Sequence, residues 1–168
     1  MSLAIKHTNA AGGVLGKDLE VVSQDDACDS AKATLVAAEM IEEKVIEVIG
    51  HICNNSTEAA LPSYASANIP VISAASTNPN LTNEGKYPNF FRTISHDASQ
   101  AQLQVEFAVK VLGIKKAAVI FDQGNYGKEM ASLVRDGLKQ IGGKVLVFEP
   151  NEFGAESYSE LIGKLRKA

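Results

Sequence analysis

Short β-branched runs alternate along this chain with longer stretches of helical periodicity, and that alternation constrains the fold more than any other feature. Leu19 to Gln24, Val45 to Ile49, Ile69 to Ser73, Phe90 to Ile94, Lys116 to Phe121 and Val145 to Phe148 read as strands. Helices fill the intervals. One runs from Ser30 to about Glu43, with Leu35, Ala38 and Ile41 on one face. Another follows the loop His51 to Asn55 and reaches Ala67, with Pro62 unsettling its first half. Asp97 to Gln100 resembles a capping box opening a helix that ends at Gly113, and Asn125 to Ile141 forms the next, stopped by Gly142 and Gly143. Ser157 to Glu160 resembles a second capping box before a final helix with Lys164, Arg166 and Lys167 near its negative end. Strand and helix in turn mean an α/β class with parallel sheets. The chain opens on the tail of a helix, Ala4 to Asn9, and closes on a helix that no strand follows, so both ends read as cut. The break near Ser95 to Asp97 divides it into residues 1–96 and 97–168.

Composition narrows the function. The 168 residues are 45% apolar and 21% charged, an ordinary globular mixture. No apolar run reaches the roughly 20 residues of a membrane helix. A net charge of −4 lacks the basic excess that binding to a phosphate backbone requires, so neither nucleic acid nor an anionic membrane is an expected partner. Met-Ser-Leu at the start lacks the cationic and apolar stretches of a signal peptide. Two cysteines, Cys28 and Cys53, fit either a bridge or a pair of buried thiols.

Catalytic and metal signatures are absent from the sequence. His7, His51 and His96 have no ligand spacing, and neither Cys-x-x-Cys nor His-Glu-x-x-His occurs, so no metal is expected. No Gly-x-Ser-x-Gly anchors a hydrolase triad. Asn9 to Gly16 is rich in glycine, but a phosphate loop needs a strand before it and a helix after it, and here the order is helix, glycines, strand. Asp25 and Asp26 fit a helix cap at a strand end better than an acid–base pair.

Three loops carry more weight: His51 to Ser56, Ala74 to Asn78 and Gly124 to Gly127. Each follows the carboxyl end of a strand, the rim where open α/β sheets bind ligands. Helix N-termini there offer free N–H groups, and small hydroxyl residues such as Ser76 and Thr77 let an anionic group approach. The same residues also serve as ordinary turn formers. Tyr126 fits a lid over a ligand and an anchor for its helix equally well. A flavodoxin-like cytosolic enzyme would use the same rim for a phosphate cofactor.

The ordered set of motifs is more specific than any of its pieces. Asn9-Ala-Ala-Gly-Gly-Val-Leu-Gly-Lys17 is followed by Asp25-Asp-Ala-Cys-Asp29 and by Val48-Ile-Gly-His-Ile-Cys53. Then come Ala75-Ser-Thr-Asn-Pro-Asn-Leu-Thr82, Phe91-Arg-Thr93, and Asp122 with Tyr126-Gly127. This order resembles the leucine/isoleucine/valine-binding proteins, the periplasmic receptors of ABC transporters, over essentially the whole chain. The resemblance implies a Venus-flytrap fold of the type I periplasmic binding proteins, with ligand held between two α/β lobes. It implies most of the opening half of lobe I, without its first strand, and the start of lobe II. It implies no catalysis and no cofactor, and as partners an amino acid and a membrane permease. A flytrap sensor domain of a receptor or regulator shares these features.

Individual residues inherit roles from the resemblance alone. Cys28 and Cys53 match a disulfide pair, suited to an oxidising periplasm. Closing a loop of that length stabilises by about 3 kcal/mol in the chain-entropy account. Thr77 matches a threonine whose hydroxyl holds the ligand ammonium or carboxylate, and Ala75 and Ser76 match adjacent backbone contacts. Tyr126 matches the tyrosine that closes over the ligand from the second lobe. Asn54 departs from the usual serine, leaving its backbone N–H or the Ser56 hydroxyl to serve. With one cleft wall incomplete, the chain alone is expected to bind amino acids weakly or not at all. Its open sheet edges are expected to favour homodimers.

Overall fold

A computed structural model describes residues 1–168 apart from Phe153, and for Glu84 the backbone alone. Helix α1 is Ser2–Ala10, nine residues long. Its exit is a tight turn in which Val14 and Lys17 exchange backbone hydrogen bonds. Gly13 makes that turn practicable: it takes φ +72°, and a β-carbon there would run into the Lys17 carbonyl. Asn9 then latches the following segment through both ends of its amide. Its Nδ2 donates to the Leu19 carbonyl at 2.9 Å, and its Oδ1 accepts from the Leu19 N–H at 2.8 Å. The glycine-rich stretch is thus a helix stop and turn.

The first sheet has three parallel strands in the order β1-β2-β3: Val48–Ile49, Val71–Ser73 and Phe90–Arg92. Helices α2 (Ser30–Glu42) and α3 (Asn54–Ser66) pack together against it. Asp29 caps α2, its carboxylate accepting from the Lys32 N–H at 2.7 Å. Pro62 lies inside α3 without ending it. Ala33 and Ala37 of α2 meet Ala60, Leu61 and Tyr64 of α3, and with Val48, Ile69, Val71, Leu81, Tyr87 and Phe90 they form one buried core. Small residues at the helix contact let the backbones approach closely.

The second sheet pairs β4 (Lys116–Asp122) with β5 (Lys144–Asn151) in parallel, with an irregularity at Ala117/Ala118. Helices α4 (Asp97–Glu106) and α5 (Asn125–Gln140) pack against each other, burying Ala101 and Val105 with Ala131 and Leu138. Phe107–Val111 continues α4 as a single π turn, and α6 (Ser159–Lys167) closes the chain against β5.

Several expectations need correction. Leu19 to Gln24 forms no strand ladder; it runs in irregular conformation, with Val21 and Val22 about 40% exposed. Val21 and Val22 nevertheless line two hollows, of about 320 and 370 Å³, together with Met40 of α2 and Val48 and Ile49 of β1. The β-branched run is therefore separated from β1 by a gap, and a strand without a paired neighbour has no ladder to register. On α2 the buried face is Ala33, Val36 and Ala37, whereas Leu35 is 65% exposed. The helix follows the tight contact with α3, which small side chains permit and Leu35 would obstruct. Helix α4 is capped by His96, whose Nδ1 accepts from the Ser99 N–H at 3.2 Å; Asp97 is one residue inside the helix and fully buried. Tyr158 precedes α6 without a side-chain cap, and Ser157 bonds instead to the Ser159 N–H, so neither capping box forms.

Candidate functional site

The carboxyl ends of β1 and β2 lead directly into the loops singled out above. β1 passes through Gly50–Cys53 into α3, whose N-cap, Cys53, makes no side-chain capping bond. The first N–H groups of α3 thus meet the rim at the positive end of the helix dipole. β2 passes through Ser73 into the turn Ala74–Asn78, which folds back over that helix end.

Hydroxyl groups knit the turn together. Ser73 Oγ donates to the His51 carbonyl at 2.7 Å and accepts from the N–H groups of Ala75, at 3.2 Å, and Ser76, at 3.0 Å. Ser76 Oγ donates to the same His51 carbonyl at 2.9 Å and lies 2.5 Å from Thr57 Oγ1. Asn54 Oδ1 accepts from the backbone N–H groups of Thr77, at 2.7 Å, and Asn78, at 3.1 Å. The Arg92 guanidinium donates to the carbonyls of Ser76 and Asn78 and to the Thr82 hydroxyl. The turn is consequently held on three sides, and its shape is set before any ligand arrives.

Four expected site residues meet here: Asn54, Ala75, Ser76 and Thr77. Thr77 is half-buried, and its hydroxyl makes no hydrogen bond among the described residues. Ala75 is exposed, with its N–H tied to Ser73. Ser76 is fully buried, with its hydroxyl committed inside the fold. The Asn54 side chain organises the loop. Ser56 does not face the rim: it is buried and donates to Asp26 Oδ1 at 3.2 Å. Tyr126, half-exposed in the first turn of α5, comes from the second sheet's side of the molecule. That turn approaches the loop, because Asn78 Nδ2 donates at 3.1 Å to Glu129, one turn on from Tyr126. Gly127 admits the Asp122 carboxylate against the same turn, where a β-carbon would collide with Asp122 Oδ1.

The sequence did not single out the acidic side of this rim. Burial raises the Glu129 carboxyl above its ordinary value against the bond from Asn78, and the carboxylates of Asp97 and Glu58 add to the rise. Asp97 is fully buried; its N–H donates to the Thr77 carbonyl at 2.9 Å, while both carboxylate oxygens lack a partner among the described residues. The spacing of Asp97 and Glu129 in sequence carries no periodic signal, because they come from different helices. The described residues contain no cluster of His, Cys, Asp and Glu able to hold a metal ion.

Beneath the rim, Cys28 and Cys53 are joined in a disulfide, with their α-carbons 5.4 Å apart. Beside it, His51 Nδ1 lies 2.5 Å from Asp26 Oδ2, with the two side chains only 6% and 15% exposed. Burial pushes the Asp26 carboxyl up, but hydrogen bonds from His51, the Cys28 N–H and Ser56, with the charge of His51, hold it below the ordinary carboxylate range. Burial and the Asp26 charge push the Tyr64 phenol up to about 12.

Comparison with known proteins agrees with this architecture. The family model described as periplasmic binding protein matches residues 1–168. The leucine-specific-binding protein of Salmonella typhimurium is 37% identical over 164 residues, and the Leu/Ile/Val-binding protein of Escherichia coli K12 is 34% identical over 164 residues. Each match covers 98% of this chain and 44% of the relative, so the chain spans less than half the length of these relatives. Among solved structures, the branched-chain amino acid transporter substrate binding protein of Streptococcus pneumoniae in complex with isoleucine superposes with a TM-score of 0.85 at 27% identity. That match covers 99% of this chain and 47% of the other. A leucine complex of an ABC transporter substrate-binding protein from Desulfitobacterium hafniense gives 0.80 at 26% identity, over 99% and 48%. Both solved structures are substrate-binding proteins of transporters. The parallel α/β architecture, the ordered motifs and the match along the full chain lead to one assignment: this chain belongs to the periplasmic binding protein family.

Proposed function

We propose that this chain supplies the carboxylate-holding wall of an amino-acid cleft in the extracytoplasmic solute receptor of an ABC transporter, taking branched-chain or related amino acids. The observation that carries the reading is the unpartnered Thr77 hydroxyl beside the uncapped N-terminus of α3, on a turn already braced by Asn54, Ser73 and Arg92. A carboxylate there meets the Thr77 hydroxyl and free helix N–H groups. The acidic side of the rim, at Glu129, suits an ammonium. Tyr126 closes over the ligand from residues 97–168, which form part of a second lobe, while residues 1–96 form part of the first. The whole receptor would work in the periplasm and deliver its solute to a membrane permease.

The test is an amide-resolved NMR titration with L-leucine, which reads weak as well as tight binding. L-Leucine is expected to shift the amides of Asn54, Asn55 and Thr77. Leucinol, which lacks the carboxylate, is expected to leave them in place, as is leucine added to Thr77→Val. Equal shifts with leucine and leucinol, or shifts scattered away from the rim, would overturn the reading.

A second reading concerns self-association. The N–H groups of Val48 and Gly50 bond to Pro70 and Ile72 of the neighbouring β2 segment, so the alternate groups at Glu47 and Ile49 point toward the gap lined by Val21 and Val22. An edge of this kind invites another strand. We propose that it pairs with a second copy of the chain.

A further inference from the structure

The Asp26–His51 pair lies behind the ligand turn, and its connections run forward into it. The His51 ring is fixed by Asp26 at 2.5 Å, and the His51 carbonyl is the acceptor on which both Ser73 Oγ and Ser76 Oγ converge, at 2.7 and 2.9 Å. Ser73 Oγ in turn holds the Ser76 N–H at 3.0 Å, and Ser76 is the residue immediately before Thr77. One residue therefore ties the Asp26 loop, the disulfide-linked start of α3 and the Ser76–Thr77 turn into a continuous buried network. The far side of the ring is unsatisfied: His51 Nε2 and Tyr64 Oη are buried with no partner among the described residues. Both residues line the hollow of about 320 Å³. The ring is thus held at Nδ1, and Nε2 is the enclosed ring nitrogen left without a partner among the described residues.

We propose that Asp26 and His51 act as a positioning pair for the ligand turn, so that protonation of His51 at Nε2 is transmitted through its carbonyl and the Ser73 and Ser76 hydroxyls to Thr77. The inference rests on the reading of Thr77 as a ligand contact for its functional meaning, but its test needs no ligand. When Nε2 takes up a proton the imidazolium pulls on the Asp26 carboxylate, and the ring shifts relative to Tyr64, whose centroid is 5.9 Å away. The backbone of His51 moves with the ring, and its carbonyl carries two hydroxyls whose positions decide where Ser76 and Thr77 sit. The groups facing His51 are the Asp26 carboxylate and Tyr64 phenol, with Asp25 and the Met1 end of the chain bordering the same hollow. Of these, the Asp26 carboxylate makes the direct contact.

The experiment follows the His51 ring nitrogens and the backbone amides of Ser76 and Thr77 in the isotope-labelled chain between about pH 5 and 8, where histidine changes charge. The Ser76 and Thr77 amides are expected to move with the same midpoint as the His51 ring. In His51→Gln that step is expected to vanish while the rest of the spectrum stays dispersed. Should that variant fail to fold, Asp26→Asn serves: it is expected to displace the Ser76 and Thr77 amides at constant pH, which the surface control Asp18→Asn does not. Amides that stay flat through the His51 titration would overturn the proposal. So would a step that persists in His51→Gln, or a ring that keeps one protonation state across the range. Because leucine is absent throughout, failure here is distinct from failure of the leucine titration.

Discussion

Asp26 is the residue at which chemistry and stability meet most directly. Its carboxylate accepts from the His51 ring, the Ser56 hydroxyl and the Cys28 N–H, the last at 2.7 Å, and the sum of these bonds holds its proton affinity down despite burial. A carboxyl lowered in the folded state binds fewer protons there than in the unfolded chain. Its contribution is therefore present above the ordinary carboxylate value of about 3.9 and lost as pH falls through the lower folded value. Asp26→Asn is expected to cost about 2 kcal/mol near neutral pH, the scale of hydrogen bonds to a charged group. Urea midpoints of the two proteins should stay apart above about pH 5 and converge below it; a gap independent of pH would show that the charge is irrelevant. The sequence suggested Asp25 and Asp26 as a helix cap at a strand end; the cap of α2 is Asp29 instead, and the run before them pairs in no ladder. The sequence held no sign that Asp26 reaches His51, 25 positions away. The same limit applied to Ser76 and Thr77: their small hydroxyl character was legible, but the inward direction of one and the half-buried setting of the other depended on the path of the turn.

At the scale of elements, α2 carries the most direct test. Its apolar residues are numerous enough to support more than one stripe, and periodicity alone favoured Leu35, Ala38 and Ile41. The helix instead buries Ala33 and Ala37 against α3, with Val36 buried too; of the expected stripe Ile41 packs against this core, while Leu35 and Ala38 are exposed. Ala37→Leu is expected to destabilise by about 1–3 kcal/mol through overpacking. Leu35→Ala, at an exposed position, is expected to change stability by less than about 0.5 kcal/mol. Chemical denaturation of both variants checks the pair, and reversed magnitudes would restore the other face. Strand identity was easier to read than strand length. β1 shrinks from five expected residues to Val48–Ile49 because its pairing with β2 is that short, and ladder length belongs to the pair of strands. Both capping boxes failed for a related reason: a cap depends on where the chain turns, and at α4 that turn comes one residue early, at His96.

For the whole molecule, the open side of β1 and the adjoining hollows make association the quantity to measure. Light scattering over a range of concentrations is expected to show a dimer, and a monomer throughout would remove the proposal of edge pairing. Lys substitution at Val21 should shift the equilibrium toward monomer if that gap is the interface, because a charge on a pairing edge opposes strand addition. The sequence by itself determined the α/β class, the family and the order of the elements apart from the strand expected at Leu19 to Gln24, since hydrophobic periodicity and motif order are local properties of the chain. It also located the rim loops, which lie wherever a parallel strand ends. The tertiary structure alone decided which groups in those loops remain free. Asn54 occupies the Thr77 and Asn78 amides, the Ser76 hydroxyl turns inward to His51, and Asp97 and Glu129 arrive from separate helices to make one side acidic. Those outcomes depend on distances between residues far apart in the chain, and such distances follow from the packing of α2 and α3 on the sheet and of α4 on α5.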